Sequence, residues 1–432
     1  MVQHVSVFAA LASCAMWLAP TTALKASPPR FKVVVLPPEQ PPAGAVGALG
    51  AGSGNPNLKG QRSGGVRYPN FRSRATRWTP EHGHEFVDGF PLQQQDGSGA
   101  SDLNNIGNID GRMSHIGRNS FFWNNANGTQ ILPSLSSSEP PVNVVRMNDA
   151  NWIAGASRAD EPAPAPTWAA LWRPDGAGGF TVTNLGDLGA FAAGKDSIGG
   201  AGDVNNRGQV TGQTEAANPD CTCPFLWSEA TGMQRLPVLP GHVNGAGLAI
   251  NDFGWVVGFS SQFGVLWMGD GTLVPLTSDQ QFSFAFPTDI NNRGQVLGEV
   301  GGGVFLWQDG VRYTLTDLID PNDPAFGVTK VRFSGTINDA GIISLGGEVN
   351  GVAKGLLFVP APRDCPADVT EDGTVDAADL VAMLNKYGKT VGFPDAGPIG
   401  RLADLDDNGR LGPGDLLALL SQWGGCATPT AN

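Results

Sequence analysis

Ile290-Asn291-Asn292-Arg293-Gly294-Gln295-Val296-Leu297-Gly298, followed by Val304-Phe305-Leu306-Trp307, decides the fold, because the pattern recurs. Its first half is a hydrophobic residue, Asn, two variable residues, Gly, a variable residue, a β-branched residue and often a second Gly. Earlier copies are Leu103-Asn104…Gly107…Ile109 and Met147-Asn148…Ile153-Ala154-Gly155. Two fuller ones are Val204-Asn205-Asn206-Arg207-Gly208-Gln209-Val210-Thr211-Gly212 and Ile250-Asn251-Asp252-Phe253-Gly254-Trp255-Val256-Val257-Gly258. The last is Ile337-Asn338-Asp339-Ala340-Gly341-Ile342-Ile343. Each copy runs on to a short apolar stretch ending in an aromatic: Phe122-Trp123, Leu171-Trp172, Phe225-Leu226-Trp227, Leu266-Trp267, Phe305-Leu306-Trp307 and Leu356-Leu357-Phe358.

Asn and Gly both tolerate positive φ, so Asn-x-x-Gly predicts a tight turn between two β-branched strands. The Trp gives each unit a large buried anchor. A unit of ~40–55 residues with three or four short strands cannot bury its apolar face alone, so neighbours must stack. That period matches propeller blades. The repeats and a degenerate unit ending at Trp78 predict a mainly β, repeat-built β-propeller of about seven blades over residues 66–359. A β-helix or an open array would be the other ways to stack such units. Phe31-Lys32-Val33-Val34-Val35-Leu36 reads as an isolated strand, placed to close the ring against the last blade. The 60 Gly, 33 Pro and 11 Trp, against 3 Tyr, fit a turn-rich β architecture better than a helical one.

The net charge of -13 makes nucleic acid and anionic membrane surfaces poor partners. Residues 1–23 read as a secretory signal peptide: Val5 to Leu18 is nearly all apolar, and Thr21-Thr22-Ala23 follows as a cleavage site. The apolar run is too short for a transmembrane helix, so no integral membrane segment is expected. Residues 24–65 read as the isolated strand plus a Pro/Gly-rich linker. Cys221-Thr222-Cys223 fits a reactive pair, a metal clip or a bridged turn.

Residues 360–432 form a separate module. Two acidic loops there, Asp368 to Asp379 and Asp404 to Asp415, are offset by 36 residues. Each has oxygen-bearing side chains at positions 1, 3 and 5, Gly at 6 and Asp at 12, the spacing that wraps a hard cation such as Ca²⁺. Helix-like stretches begin at Asp379 and Asp415, with Leu380/Leu384 and Leu416/Leu420 at i and i+4 on one face and Gly388 and Gly424 as stops. Cys365 and Cys426 flank the loops; a bridge between them would clasp the module, and two free thiols are the other reading.

This duplicated loop–helix pattern closely resembles the dockerin type I module over about residues 364–426. The resemblance implies two bound Ca²⁺ ions. Asp368, Thr370, Asp372, the Thr374 carbonyl, Asp376 and Asp379 would hold one. Asp404, Asp406, Asn408, the Arg410 carbonyl and Asp415 would hold the other. It also implies a cohesin-like or other extracellular protein partner. Positions 10 and 11, which help choose the cohesin in that family, are Ala377-Ala378 and Pro413-Gly414, without the hydroxyl pair of the well-known cellulosomal modules. The repeats over roughly residues 75–360 resemble the extracellular HAF-repeat proteins, although Pro224, Ala169-Ala170 and Gly303-Val304 stand where His-Ala would. That family brings a fold and a location more than an activity.

The chain has no Gly-x-Ser-x-Gly elbow and no His-Glu-x-x-His. His82-Gly83-His84-Glu85 reads as an exposed turn. The expectation is therefore a secreted, non-catalytic propeller that binds a ligand or partner, with polysaccharide among the candidates, tethered by the calcium module. The alternatives are an extracellular carbohydrate-active enzyme using paired channel carboxylates and a structural cell-surface protein.

Overall fold

A computed structural model describes residues 28–36, 47–49, 57, 59, 61–67, 73–79, 81–87, 97–113, 119–139, 141–160, 167–189, 199–217, 220–276, 285–331, 335–361, 365–370, 374–389, 403–405 and 410–425. The expected signal peptide, Asp372, Asp406, Asn408 and Cys426 lie outside them.

The repeats fold into a seven-bladed β-propeller of antiparallel sheets. Six four-stranded blades start at Gly47–Leu49, Ser98–Leu103, Pro141–Met147, Gly199–Val204, Gly245–Ile250 and Ala285–Ile290. The seventh combines Thr329–Val331, Thr336–Ile337, Ile343–Val349 and Val352–Pro360 with Phe31–Val35 from the other end of the chain. Phe31 pairs with Pro360 and Val35 with Leu356, so the early strand closes the ring as its pattern predicted. Phe31 also enters the core between the last two blades, beside Leu306, Ile343 and Phe358.

From the second blade to the sixth, the innermost strand lies just before the Asn motif and the Trp sits on the third strand; the seventh blade has Phe358 in its place. Trp172, Trp267 and Trp307 are almost wholly buried. The indole N–H of Trp172 donates to the Pro133 carbonyl and that of Trp267 to the Pro237 carbonyl, both at 2.6 Å. The repeat thus satisfies the one polar atom of its largest anchor.

Three sequence expectations need correction. The first blade begins at Gly47, inside the stretch read as linker, and its third strand ends with Trp78-Thr79. The turn residue with positive φ is the motif's Gly (Gly208 at 76°, Gly294 at 70°), not its Asn. A Cβ at Gly294 would also stand 2.8 Å from Cζ3 of Trp255 in the preceding blade, so close approach and backbone angle both demand Gly. In the third blade Asn151 fills that place, at φ 62°. His82-Gly83-His84-Glu85 is only half a turn: Gly83–Phe86 is the outer strand of the first blade, where Glu85 pairs with Arg77 at 2.6 Å. Cys221 and Cys223, left open by the sequence, are disulfide-bonded within one strand, Asp220–Ser228, and buried beside Ala216.

In the C-terminal module, α1 (Ala377–Leu384) and α2 (Pro413–Ser421) pack around Ala367, Val369, Val375, Met383, Ala403, Leu411 and Leu419. Thr374–Val375 pairs with Gly424–Gly425. The apolar face is half the expected one: Leu380 and Leu416 pack against this core, but their i+4 partners do not complete it. Met383 and Leu419 are buried, whereas Leu384 and Leu420 are 49% and 48% exposed. Among the described residues no helix is long and apolar enough to cross a membrane.

Candidate functional site

The motif's Asn does two jobs at one end of the central channel. Its Oδ1 accepts backbone N–H groups two and four residues on, as Asn205 does from Arg207 and Gln209. Its Nδ2 donates to the backbone carbonyl of the same Asn in the next blade. Asn57, Asn104, Asn148, Asn205, Asn251, Asn291 and Asn338 make six such links in succession. An Asp could form the turn but has no amide to donate. Asn57-Leu58-Lys59-Gly60-Gln61 repeats the spacing of Asn205 to Gln209, so this seventh copy was visible in the sequence and overlooked.

One residue further on lies a second ring, in which Asn and Asp alternate: Asn105, Asp149, Asn206, Asp252, Asn292 and Asp339. Asn105 donates its backbone N–H and its amide to the two oxygens of Asp149, each at 2.9 Å. Asp149 in turn donates its N–H to Oδ1 of Asn206 at 2.9 Å. The same exchange joins Asn206 to Asp252, Asp252 to Asn292 and Asn292 to Asp339. Burial raises the Asp339 carboxyl above its ordinary value.

Deeper in the channel, two residues before each motif Asn, the alternation continues. Asp102, Asp203 and Asp289 stand in the second, fourth and sixth blades; Arg146, Ala249 and Thr336 stand in the third, fifth and seventh. Each Asp accepts through Oδ2 from a backbone N–H of the next blade: Met147 at 2.9 Å, Ile250 at 2.9 Å and Ile337 at 2.8 Å. The guanidinium of Arg146 lies among them, 4.0 Å from Asp102 and 3.8 Å from Asp289.

Four acids crowd this one cation, counting Asp110, which is fully buried and accepts from the Asp102 N–H. Burial pushes Asp203 up to about 7, against the pull of Arg146. Burial likewise lifts Asp289 to about 6. Asp110 is raised well above its usual range by burial and by the charge of Asp102. Burial works against the charge on Arg146 as well, but Asp289, Asp102 and Asp203 outweigh it and hold the guanidinium protonated. Above this floor opens a cavity of about 150 Å³ lined by the Asn and Asp rings. Nothing in the linear sequence marks Arg146 or the three Asp residues as neighbours, and sequence reasoning missed them.

The expected calcium ligands fall in two places. In the first loop, Oδ1 of Asp379 accepts from Thr370 N at 2.9 Å and Thr370 Oγ1 at 3.0 Å, and Oδ2 from Asp376 N at 2.8 Å. In the second, Asp415 accepts from Leu405 N at 2.7 Å and Gly412 N at 2.8 Å. Asp368 and Asp404, at position 1, are buried, and Asp379 and Asp415 have no exposed surface. Thr374 and Arg410 lie at position 7 of the two loops. Among the described residues no three acid, His or Cys side chains come together as a metal cluster. Cys365 is disulfide-bonded.

No protein-family model matches the chain, and no curated protein matches it. Among solved structures it is similar to virginiamycin B lyase from Staphylococcus aureus, with 8% identity and a TM-score of 0.44 over 76% of this chain and 99% of that one. It is also similar to a gluconolactonase from Xanthomonas campestris, with 10% identity and a TM-score of 0.35 over 77% of this chain and 95% of that one. TolB from Acinetobacter baumannii gives 9% identity and a TM-score of 0.36 over 78% of this chain and 64% of that one. At these distances the likenesses say nothing about activity.

Proposed function

We propose that this is a secreted, non-catalytic binding protein. Its propeller takes a ligand at the channel mouth, and residues 360–432, a dockerin-like module, attach it to a cohesin-like or other extracellular protein. One observation carries the non-catalytic reading: the channel carboxylates are engaged in holding blades together. Asp102, Asp203 and Asp289 each clamp a neighbouring blade, leaving Arg146 as their shared counter-ion.

The module's donor set fits calcium. Buried Asp368/Asp379 and Asp404/Asp415 put two carboxylates of each loop out of water. A carboxylate so placed needs a cation or several N–H donors to offset its desolvation. The side chains at positions 1, 3 and 12 offer only oxygen, which suits a hard cation. Bound Ca²⁺ would supply charge neutralisation and hold each loop closed against its helix. Two apolar trios at equivalent positions, Val381, Leu384, Tyr387 and Leu417, Leu420, Trp423, remain between 43% and 71% exposed, and they supply the surface a protein partner would cover.

Calorimetry on the full chain should find two Ca²⁺ ions, with Asp379→Ala and Asp415→Ala each losing one. Absence of uptake, or of any calcium-dependent gain in thermal stability, would remove the module from this proposal. Capture from secreted proteins with and without chelator tests the tether.

A second reading, an extracellular carbohydrate-active enzyme, is favoured by one feature: Asp203, lifted to about 7, has the acidity of a general acid at neutral pH. It requires turnover of some glycoside by the full chain, and Asp203→Asn should lower that turnover at least ~100-fold. Turnover that survives the substitution would count against Asp203.

A further inference from the structure

Three kinds of contact fasten neighbouring blades, and among the described residues none of them joins the seventh blade to the first. Apolar clusters span every junction from first-to-second round to sixth-to-seventh, as Leu266 meets Phe305 and Leu306 meets Ile343. The carboxylate clamps of Asp102, Asp203 and Asp289 tie the blades in pairs, second to third, fourth to fifth and sixth to seventh. The first blade takes part in none of the three. The chain of Asn amides starts at Asn57 and stops at Asn338. Nδ2 of Asn338, the donor that would reach the Asn57 carbonyl, is buried and has no hydrogen-bond partner. Strand Phe31–Val35 completes the seventh blade on its outer side and leaves this junction to side chains.

The two faces that meet there are polar. Ile343 and Leu345 pack toward the sixth blade, so alternation along their strand turns Ser344 toward the first. Thr336 lies directly opposite Ser344, and both hydroxyls are buried without a hydrogen-bond partner. In the first blade, Ala75 packs with the second and Arg77 donates to the Gly107 carbonyl there. Thr76 and Trp78, between and beyond them, therefore look back to the seventh. Arg62 stacks on Trp78 at 4.2 Å, and the Thr76 hydroxyl lies 3.1 Å from Nδ1 of His84. Parting an apolar junction exposes hydrocarbon to water. Parting this one gives unbonded hydroxyls and an amide the water partners they lack, so separation is least costly here.

We propose that the propeller is a ring with one joint, at which the seventh and first blades part reversibly while the other six junctions stay closed. The joint is a side entrance to the channel. Asn57, Asn338 and Asp339 line the cavity at its mouth, so separating them widens the rim. Residues 37–46 link the closing strand to the first blade, a length of chain that reaches ~35 Å fully extended. The joint can therefore open without unzipping Phe31–Val35 from the seventh blade.

Thiol labelling of the full chain, with its disulfides intact, tests this. Ser344 and Thr211 hold the same place in the repeat, second in the second strand of their blades, and neither has exposed surface. Ser344→Cys faces the joint. Thr211→Cys faces Gly247 across the sealed junction between the fourth and fifth blades. The unsubstituted chain supplies the blank, and thermal melts confirm that both variants fold. Iodoacetamide should modify Ser344→Cys at least ~100-fold faster than Thr211→Cys, at a rate that low concentrations of denaturant leave unchanged. Equal rates, both rising with denaturant, would mean that the ring opens only by global unfolding and would overturn the joint. Thr336→Val gives an independent reading should the first variant fail to fold. It keeps the shape and removes an unbonded hydroxyl, so the melting temperature should hold or rise. Thr211→Val, which loses a bond to the Phe225 carbonyl, should lower it. An equal fall in both would show the Thr336 hydroxyl bonded and the seam sealed, against the proposal.

Discussion

Arg146→Met should destabilise the propeller by about 3–5 kcal/mol at pH 8, the usual range for removing one partner of a buried charge set. The substitution leaves Asp102, Asp203 and Asp289 without the guanidinium they share, and the fully buried Asp110 with only the weaker pull of Arg112. Its pH dependence is the signature. Asp203 in the folded chain titrates near 7 instead of its ordinary 3.8, and Asp289 near 6. Between about pH 4 and 7 the unfolded chain has released these protons while the folded chain still holds them. Stability is therefore greatest below the unfolded value and is lost as pH rises through the folded one. Removing Arg146 pushes the folded values higher still, so the mutant's deficit should shrink to roughly half at pH 5, where the carboxyls are largely neutral. Denaturant midpoints at pH 5 and pH 8 measure both figures. A deficit that is constant with pH would show that Arg146 acts by packing alone.

Trp267→Ala should cost the fifth blade about 3–5 kcal/mol. The side chain is 1% exposed, packs with Ile250, Val256 and Val265, and donates its indole N–H to Pro237. Trp267→Phe separates the contributions, because it keeps most of the apolar volume and drops the hydrogen bond. Its cost should be nearer ~1–2 kcal/mol. The seventh blade already carries the smaller ring at this place: Phe358 faces Ile343 as Trp267 faces Val256, and is fully buried. Guanidinium denaturation followed by far-ultraviolet circular dichroism reads both variants. If Phe proved as costly as Ala, the Pro237 hydrogen bond would be the dominant interaction.

Much of this fold was legible because its signals are local. The Asn-x-x-Gly turn, the β-branched flanks and the recurring Trp each sit within about a dozen residues of one another, and the count of copies gives the blades. Phe31–Val35 was readable as a strand because it alternates nothing and bends nowhere. The opening strand, Gly47–Leu49, escaped because Gly-Ala-Leu has no β signature of its own and is ordered by pairing with Gly65 to Arg67. The helix faces of the C-terminal module were half legible: Leu380 and Leu416 meet the core, but i and i+4 leucines mark a stripe without saying which side of it the other loop covers, and Met383 and Leu419 complete the face in place of Leu384 and Leu420. The channel was illegible for a different reason. Asp102, Arg146, Asp203 and Asp289 meet only once seven sheets have closed a circle, and no window of sequence contains two of them. What the sequence did contain was the Asn/Asp alternation of the rim, spread over more than two hundred residues.

That alternation carries a constraint of parity. Asn105, Asp149, Asn206, Asp252, Asn292 and Asp339 pair like opposite spins along a chain, each satisfied by an unlike neighbour. A circle of unlike neighbours closes only with an even number of members, and this one has seven blades. The odd place falls in the first blade, between an Asp on one side and an Asn on the other, and the sequence there withdraws from the game with Leu58. Growth of such a propeller by duplication would keep its rim in register only in steps of two blades.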